Sequence, residues 1–94
     1  MDTQSNILEK LRKMQETIEN VQKQLELQEF IGKAGDVVIV LQGTKQVIDV
    51  IIEKNNDIAH LQESILLAFN IALKKLEKAS KEIMSQVSGD LSQL

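Results

Sequence analysis

The chain has 94 residues, a formal net charge of −3 and no cysteine, proline, tryptophan or tyrosine. This length allows one domain with a modest core, and the absence of cysteine excludes disulfides. The hydrophobic content of 43% predicts a folded protein. No apolar run reaches the roughly 18 residues that a membrane span needs, and the first residues lack the pattern of a secretory signal. We therefore expect one domain over residues 1–94, with no membrane segment.

A helix is predicted over residues 6–26, with Ser5 or Asn6 as its cap. Its apolar residues alternate at spacings of four and three, forming the heptad seam Ile7, Leu11, Met14, Ile18, Val21 and Leu25. Such a narrow coiled-coil seam suits one neighbouring helix and cannot cover a sheet. We expect the helix to extend from the body as an arm that packs on the C-terminal half of the last helix. Pairing with a helix of another chain remains the alternative.

The middle of the chain, residues 28–53, predicts a three-stranded antiparallel meander. Strands are expected over residues 28–31, 36–42 and 45–53, because β-branched residues dominate the second and third. Turns are expected at residues 32–35 and at Gly43 and Thr44. The second strand is apolar on both faces, so we expect both to be covered, by helices or by a partner.

The last helix is predicted over residues 56–88, with Asn56 or Asp57 as its cap and Gly89 as its stop. One arc of this helix is apolar along its length: Ile65, Phe69, Ala72, Leu76, Ala79 and Ile83. Leu67 and Ile71 fall on the opposite side, so the first half is apolar all round. A helix of that kind is usually buried between two layers. The last residues, 88–94, are expected to fray.

These two-sided apolar elements predict a homodimer, because a domain of this size cannot bury them alone. The residues assigned to the dimer interface are Leu67, Ile71, Val38, Val40, Ile48 and Val50.

Positive charge is concentrated on two helices. The last helix carries the lysine stripe, defined as Lys74, Lys78 and Lys81, with Lys75 beside it, and the first helix carries Lys10, Arg12 and Lys13. A solvated helix face is the common interpretation of such a pattern. The functional interpretation is contact with phosphates, and two-fold symmetry would duplicate both clusters.

Other chemistry finds little support in the sequence. His60 has no cysteine partner and no suitably spaced carboxylates, which predicts a surface histidine and no metal site. No nucleophile motif is present, and residues 32–35 lack the ending of a phosphate loop. Phe30 and Phe69 sit in apolar contexts typical of core packing. We predict no enzyme activity, no cofactor and no small-molecule substrate.

Three short motifs lie on the last helix and at its predicted end: residues 68–70 (Ala-Phe-Asn), residues 72–75 (Ala-Leu-Lys-Lys) and residues 87–89 (Val-Ser-Gly). With the order of elements, they resemble the YbaB/EbfC family of bacterial nucleoid-associated proteins, and Gly32 and Gly35 stand in the place of the family's Gly-rich turn. Ile71 replaces the usual aspartate, and Gln42-Gly43 replaces Asn-Gly. The resemblance implies a cytoplasmic α+β homodimer with projecting helical arms. It also implies binding of double-stranded DNA at the nucleoid, by phosphate and shape contacts with little base readout. A dimeric adaptor that uses the helical seam to bind another protein is the alternative.

Overall fold

The computed structural model describes the backbone of residues 3–53 and 57–92, and the side chains of residues 6–53, 57–87 and 89. Its elements, in chain order, are α1 (Thr3–Leu27), β1 (Glu29–Ala34), β2 (Val37–Gln42), β3 (Val47–Ile52) and α2 (Ile58–Ser92). The predicted α+β order of helix, three strands and helix is confirmed.

The three strands form an antiparallel sheet in the order β1-β2-β3. Along the central strand β2, side chains alternate between the two faces, as the period of a strand requires. Val37, Ile39 and Leu41 are fully buried beneath α2. Val38 and Val40 point to the other face and are half-buried. Within the chain, α2 therefore covers only one of the two faces.

The turn predicted at residues 32–35 is wrong in its extent, because Gly32 lies inside β1 and the turn holds only Gly35 and Asp36. Gly32 stands where α2 crosses the strand. A Cβ atom there would lie 1.8 Å from the carbonyl oxygen of Ala68. Glycine is therefore needed at this position, because the backbones of β1 and α2 pack directly against each other. On the helix, the small side chains of the fully buried Ala68 and Ala72 allow the same close approach.

Asp57 caps α2, since its Oδ1 accepts a hydrogen bond of 2.7 Å from the backbone N–H of His60. The alternative cap, Asn56, lies outside the described residues. The predicted stop at Gly89 is wrong, because the helix continues to Ser92. A glycine inside a helix costs only about 1 kcal/mol. Val87 is buried just before it and holds this part of the helix against α1.

The arm is formed by α1 and the C-terminal half of α2, as predicted. Leu25 packs against the core cluster of Phe30 and Leu41, and Ile18 and Val21 face Ile83 and Met84 across the helix pair. α1 begins at Thr3, ahead of the predicted cap at Ser5 or Asn6. Its end rests on the β2–β3 turn, where Gly43 passes so close to Leu25 that a Cβ atom would lie 1.7 Å from the Leu25 carbonyl oxygen. The molecule is elongated, 71 × 19 × 13 Å.

Candidate nucleic-acid and association surfaces

Strand β3 lies outside the layer that α2 covers. The helix contacts β1 and β2, and every residue of β3 is exposed. Five of the six residues are nevertheless valine or isoleucine. The predicted third strand began at residue 45, whereas β3 begins at Val47 after a turn in which Lys45 has a φ of +73°. An exposed apolar edge strand invites pairing with another chain.

The face of the sheet that points away from α2 forms a second uncovered surface. Ile51 pairs with Val38, and Ile31 pairs with Val40, so these four side chains lie together on what we call the open sheet face. Ile31 and Ile51 are about half exposed. The sequence analysis named Val38 and Val40 but missed Ile31 and Ile51. The alternation of sides along each strand is the signal that identifies them.

The opposite edge of the sheet, β1, is partly closed by a side chain. The ammonium of Lys75 donates a hydrogen bond of 2.8 Å to the backbone carbonyl oxygen of Ile31. A lysine over an edge strand opposes pairing with a further strand. The two edges therefore differ, since the described contacts place no such group over β3. Lys75 was predicted to contact phosphate, and in the structure its ammonium is bonded to the backbone of the sheet.

The residues predicted for the dimer interface lie on three surfaces of the chain. Leu67 and Ile71 are exposed on the side of α2 that faces away from the sheet, where they border a shallow groove with Asn70 and Lys74. Val38 and Val40 lie on the open sheet face. Val50 lies on the helix side of β3, because it pairs with the buried Ile39, and Ile48 lies at the bulge of that strand.

The lysine stripe is exposed along its length and occupies the side of α2 that faces away from both the sheet and α1. Among the described residues, Lys74, Lys78 and Lys81 form no ion pair or side-chain hydrogen bond. At about 1.5 Å per residue, the stripe extends over about 10 Å of the helix. Glu77 and Glu82 are exposed next to it and weaken its field.

The basic residues of α1 do not join this stripe. Lys10, Arg12 and Lys13 are exposed near the free end of the arm and point to different sides of the helix. Lys13 lies 4.0 Å from Glu9, one turn earlier, in an exposed ion pair that reduces the net positive charge of this cluster. The structure thus presents two separate basic regions, one at the middle of α2 and one at the end of α1.

Phe30 is buried in one core cluster and Phe69 is packed against both clusters, which confirms the prediction that they are core residues. His60 is exposed. Within residues 3–53 and 57–92, no group of histidine, cysteine and carboxylate side chains could hold a metal ion. No helix in the described part of the chain is long and apolar enough to cross a membrane.

Comparisons with known proteins agree with this arrangement. The model of the YbaB/EbfC DNA-binding family matches residues 1–91. A nucleoid-associated protein of Clostridium novyi is 32% identical, with 94% of this chain and 82% of that protein covered. One of Mycoplasmopsis pulmonis is 35% identical, with 93% and 92% covered. An uncharacterized protein of Helicobacter pylori, HP0035, shares the fold at 20% identity, with a TM-score of 0.76 and coverage of 92% of this chain and 96% of that one.

Proposed function

This chain belongs to the YbaB/EbfC DNA-binding family, and we propose that it acts at the nucleoid as a homodimer that binds double-stranded DNA. Its relatives are named nucleoid-associated proteins. The observation that carries the proposal is the exposed lysine stripe, which leaves three ammonium groups on one side of a long, well-packed helix. The proposed activity is binding without catalysis.

The proposed contacts are to the phosphate backbone, because three lysines on one helix face offer charge without a base-reading pattern. Lysine is a flexible point charge that attracts phosphate without defining a geometry. Aromatic side chains for stacking are absent from the surface, since both phenylalanines belong to the core. Duplex DNA recognised by charge and shape is therefore the favoured ligand. Lys10, Arg12, Lys13 and Lys75 are proposed as secondary contacts.

We expect weak to moderate affinity, because the acidic groups of the protein oppose a polyanion. The net charge is −3, and Glu77 and Glu82 flank the stripe. A homodimer would present two copies of the stripe and two arm ends. Two linked sites on one duplex bind more tightly than one, provided that both can engage at once.

The proposed homodimer rests on the uncovered apolar surfaces around the sheet. Burial of an exposed valine, leucine or isoleucine is worth roughly 1.5–3 kcal/mol. β3 and the open sheet face together offer several such side chains, and the hydrogen bond of Lys75 partly closes the other edge of the sheet. We propose an interface formed by Val38, Val40, Ile48 and Val50, extended by Leu67 and Ile71 on α2.

Gel retardation at several salt concentrations tests the DNA proposal. The test variant changes Lys74, Lys78 and Lys81 to Gln, which removes the charge but keeps an unbranched polar side chain of similar helix propensity. The control changes the exposed Lys23, Lys33 and Lys45 to Gln and removes the same charge elsewhere. Each lost phosphate contact should lower the slope of log affinity against log salt by about 0.9. The stripe variant should bind DNA more weakly and show a flatter slope. If both variants lose the same affinity, the stripe has no specific role in DNA binding and is only a solvated helix face.

The second candidate function is that of a dimeric adaptor for another protein. It is favoured by the heptad seam, whose first residues Ile7 and Leu11 stay exposed. A parent protein that shows no retardation at about 50 mM salt, where electrostatic binding is strong, would favour this function over DNA binding.

A further inference from the structure

The heptad seam of α1 is satisfied over only part of its length. Ile18, Val21 and Leu25 face α2 and line the small cavity between the two helices. The side chains of Ile7 and Leu11 remain 53% and 51% exposed. The seam is therefore divided into two regions. One is packed beside α2, and the other, which we call the open region, contains Ile7 and Leu11 at the free end of α1.

The lengths of the two helices explain this division. They run antiparallel, with Leu25 beside the cluster that contains Leu76. The cavity between the helices places Ile18 about level with Val87. From Val87 to Ser92 the helix α2 advances five residues, and the same advance along α1 leads from Ile18 back to Lys13. At about 1.5 Å per residue for both helices, α2 reaches Ser92 about level with Lys13. Ile7 and Leu11 thus both lie past Ser92, the last helical residue of α2.

The flanks of the open region carry little charge. Leu8 and Gln15 border the seam on one side, and Lys10 and Thr17 border it on the other. Leu8 is itself 66% exposed and widens the apolar surface. A second copy of the same segment, approaching antiparallel about a two-fold axis, would place Leu11 against Leu11 and Ile7 level with Gln15, next to Met14. Only Lys10 adds a like charge to that contact.

We propose that the free ends of α1, residues 6–14, pair with the same segment of another copy and so join one dimer to the next. This inference rests on the proposed homodimer, which supplies two arm ends to each particle. The seam that already packs α1 on α2 continues without a break into the proposed contact. Few side chains are buried there, so the link is weak in solution. It gains strength where copies are held close together on DNA.

Cross-linking through a single cysteine tests the proposal, because the natural chain has none. Leu11→Cys places the thiol in the open seam. Glu16→Cys places it on the opposite side of the same helix, at an exposed position. After treatment with a short bis-maleimide, native mass is measured by light scattering. Leu11→Cys should give particles of at least twice the mass of the untreated parent, whereas Glu16→Cys should keep the parent mass.

Two results would overturn the proposal. Cross-linking of Leu11→Cys without any rise in native mass would mean that the two arms meet inside one particle. Equal rises for both variants would mean random collision. The mass of the untreated parent reports the homodimer separately: a monomeric parent contradicts the proposed dimer, and the rise on cross-linking still reports the arm ends.

A second measurement uses two duplexes, one biotinylated and one fluorescent. Parent protein should bring the fluorescent duplex down with the biotinylated one. Leu11→Gln removes the apolar side chain without adding a charge between Lys10 and Arg12. It should lower this bridging at least several-fold while it retards a single duplex as the parent does. Bridging that survives Leu11→Gln unchanged contradicts the proposal.

Discussion

The two halves of the sheet differ in how their apolar residues are buried. Ile39 in β2 and Val50 in β3 are direct cross-strand partners on the same face. Ile39 lies under α2 and is 2% exposed, whereas Val50 is 47% exposed. Two apolar side chains that are neighbours on one sheet face thus differ in burial: Ile39 belongs to the internal core, whereas Val50 remains exposed to solvent. We infer that the chain completes its own fold with β1 and β2 and offers β3 to a partner.

The largest effect is expected in the covered half. Ile39→Ala should lower the free energy of unfolding by about 2–5 kcal/mol, because it leaves a cavity under α2 that the sheet cannot fill. Since the contacts it removes lie within one chain, the loss should be the same at every protein concentration. Denaturant unfolding at two concentrations measures it. A loss below about 1 kcal/mol would contradict the burial of this position.

The sequence could predict the elements because each carries its own local signal. The seam of α1 and the apolar arc of α2 follow from helical spacing, and β2 follows from its run of β-branched residues. The position of Gly32 inside β1 was not predicted, because two glycines three positions apart, Gly32 and Gly35, have the local signature of a turn. Only the crossing of α2 over the strand, through Ala68 and Ala72, gives that glycine its role.

The surfaces were predicted less completely than the elements. The exposure of the lysine stripe follows from helical geometry alone. The exposure of β3 does not, because it depends on where α2 lies across the sheet. The hydrogen bond from Lys75 to Ile31 joins residues 44 positions apart and has no local signal. Contacts of this kind distinguish two neighbouring lysines that the sequence presents as equivalent.

Substitutions in β3, the exposed part of the sheet, should instead change the association of chains, which depends on protein concentration. Val50→Asp should leave the chain folded but shift it toward monomer, because a charge would have to be buried at the proposed interface. Sedimentation equilibrium at micromolar concentration measures the mass. Thr44→Asp adds the same charge at an exposed position in the β2–β3 turn and should keep the parent mass. If Val50→Asp keeps the parent mass, β3 is not part of the interface.

The smallest effect is expected at β1, the sheet edge that Lys75 partly closes. Lys75→Met keeps an unbranched, flexible side chain but removes the hydrogen bond to the Ile31 carbonyl oxygen. Because that bond is exposed, its loss should cost about 0.5–1.5 kcal/mol of stability. The variant should also associate beyond the parent mass, since β1 then becomes a second open edge. Lys78→Met removes the same charge one turn further along α2, without a bond to the sheet, and should do neither. Light scattering and denaturant unfolding of the pair measure both effects. If the two variants behave alike, Lys75 acts only through its charge, as one more lysine beside the stripe.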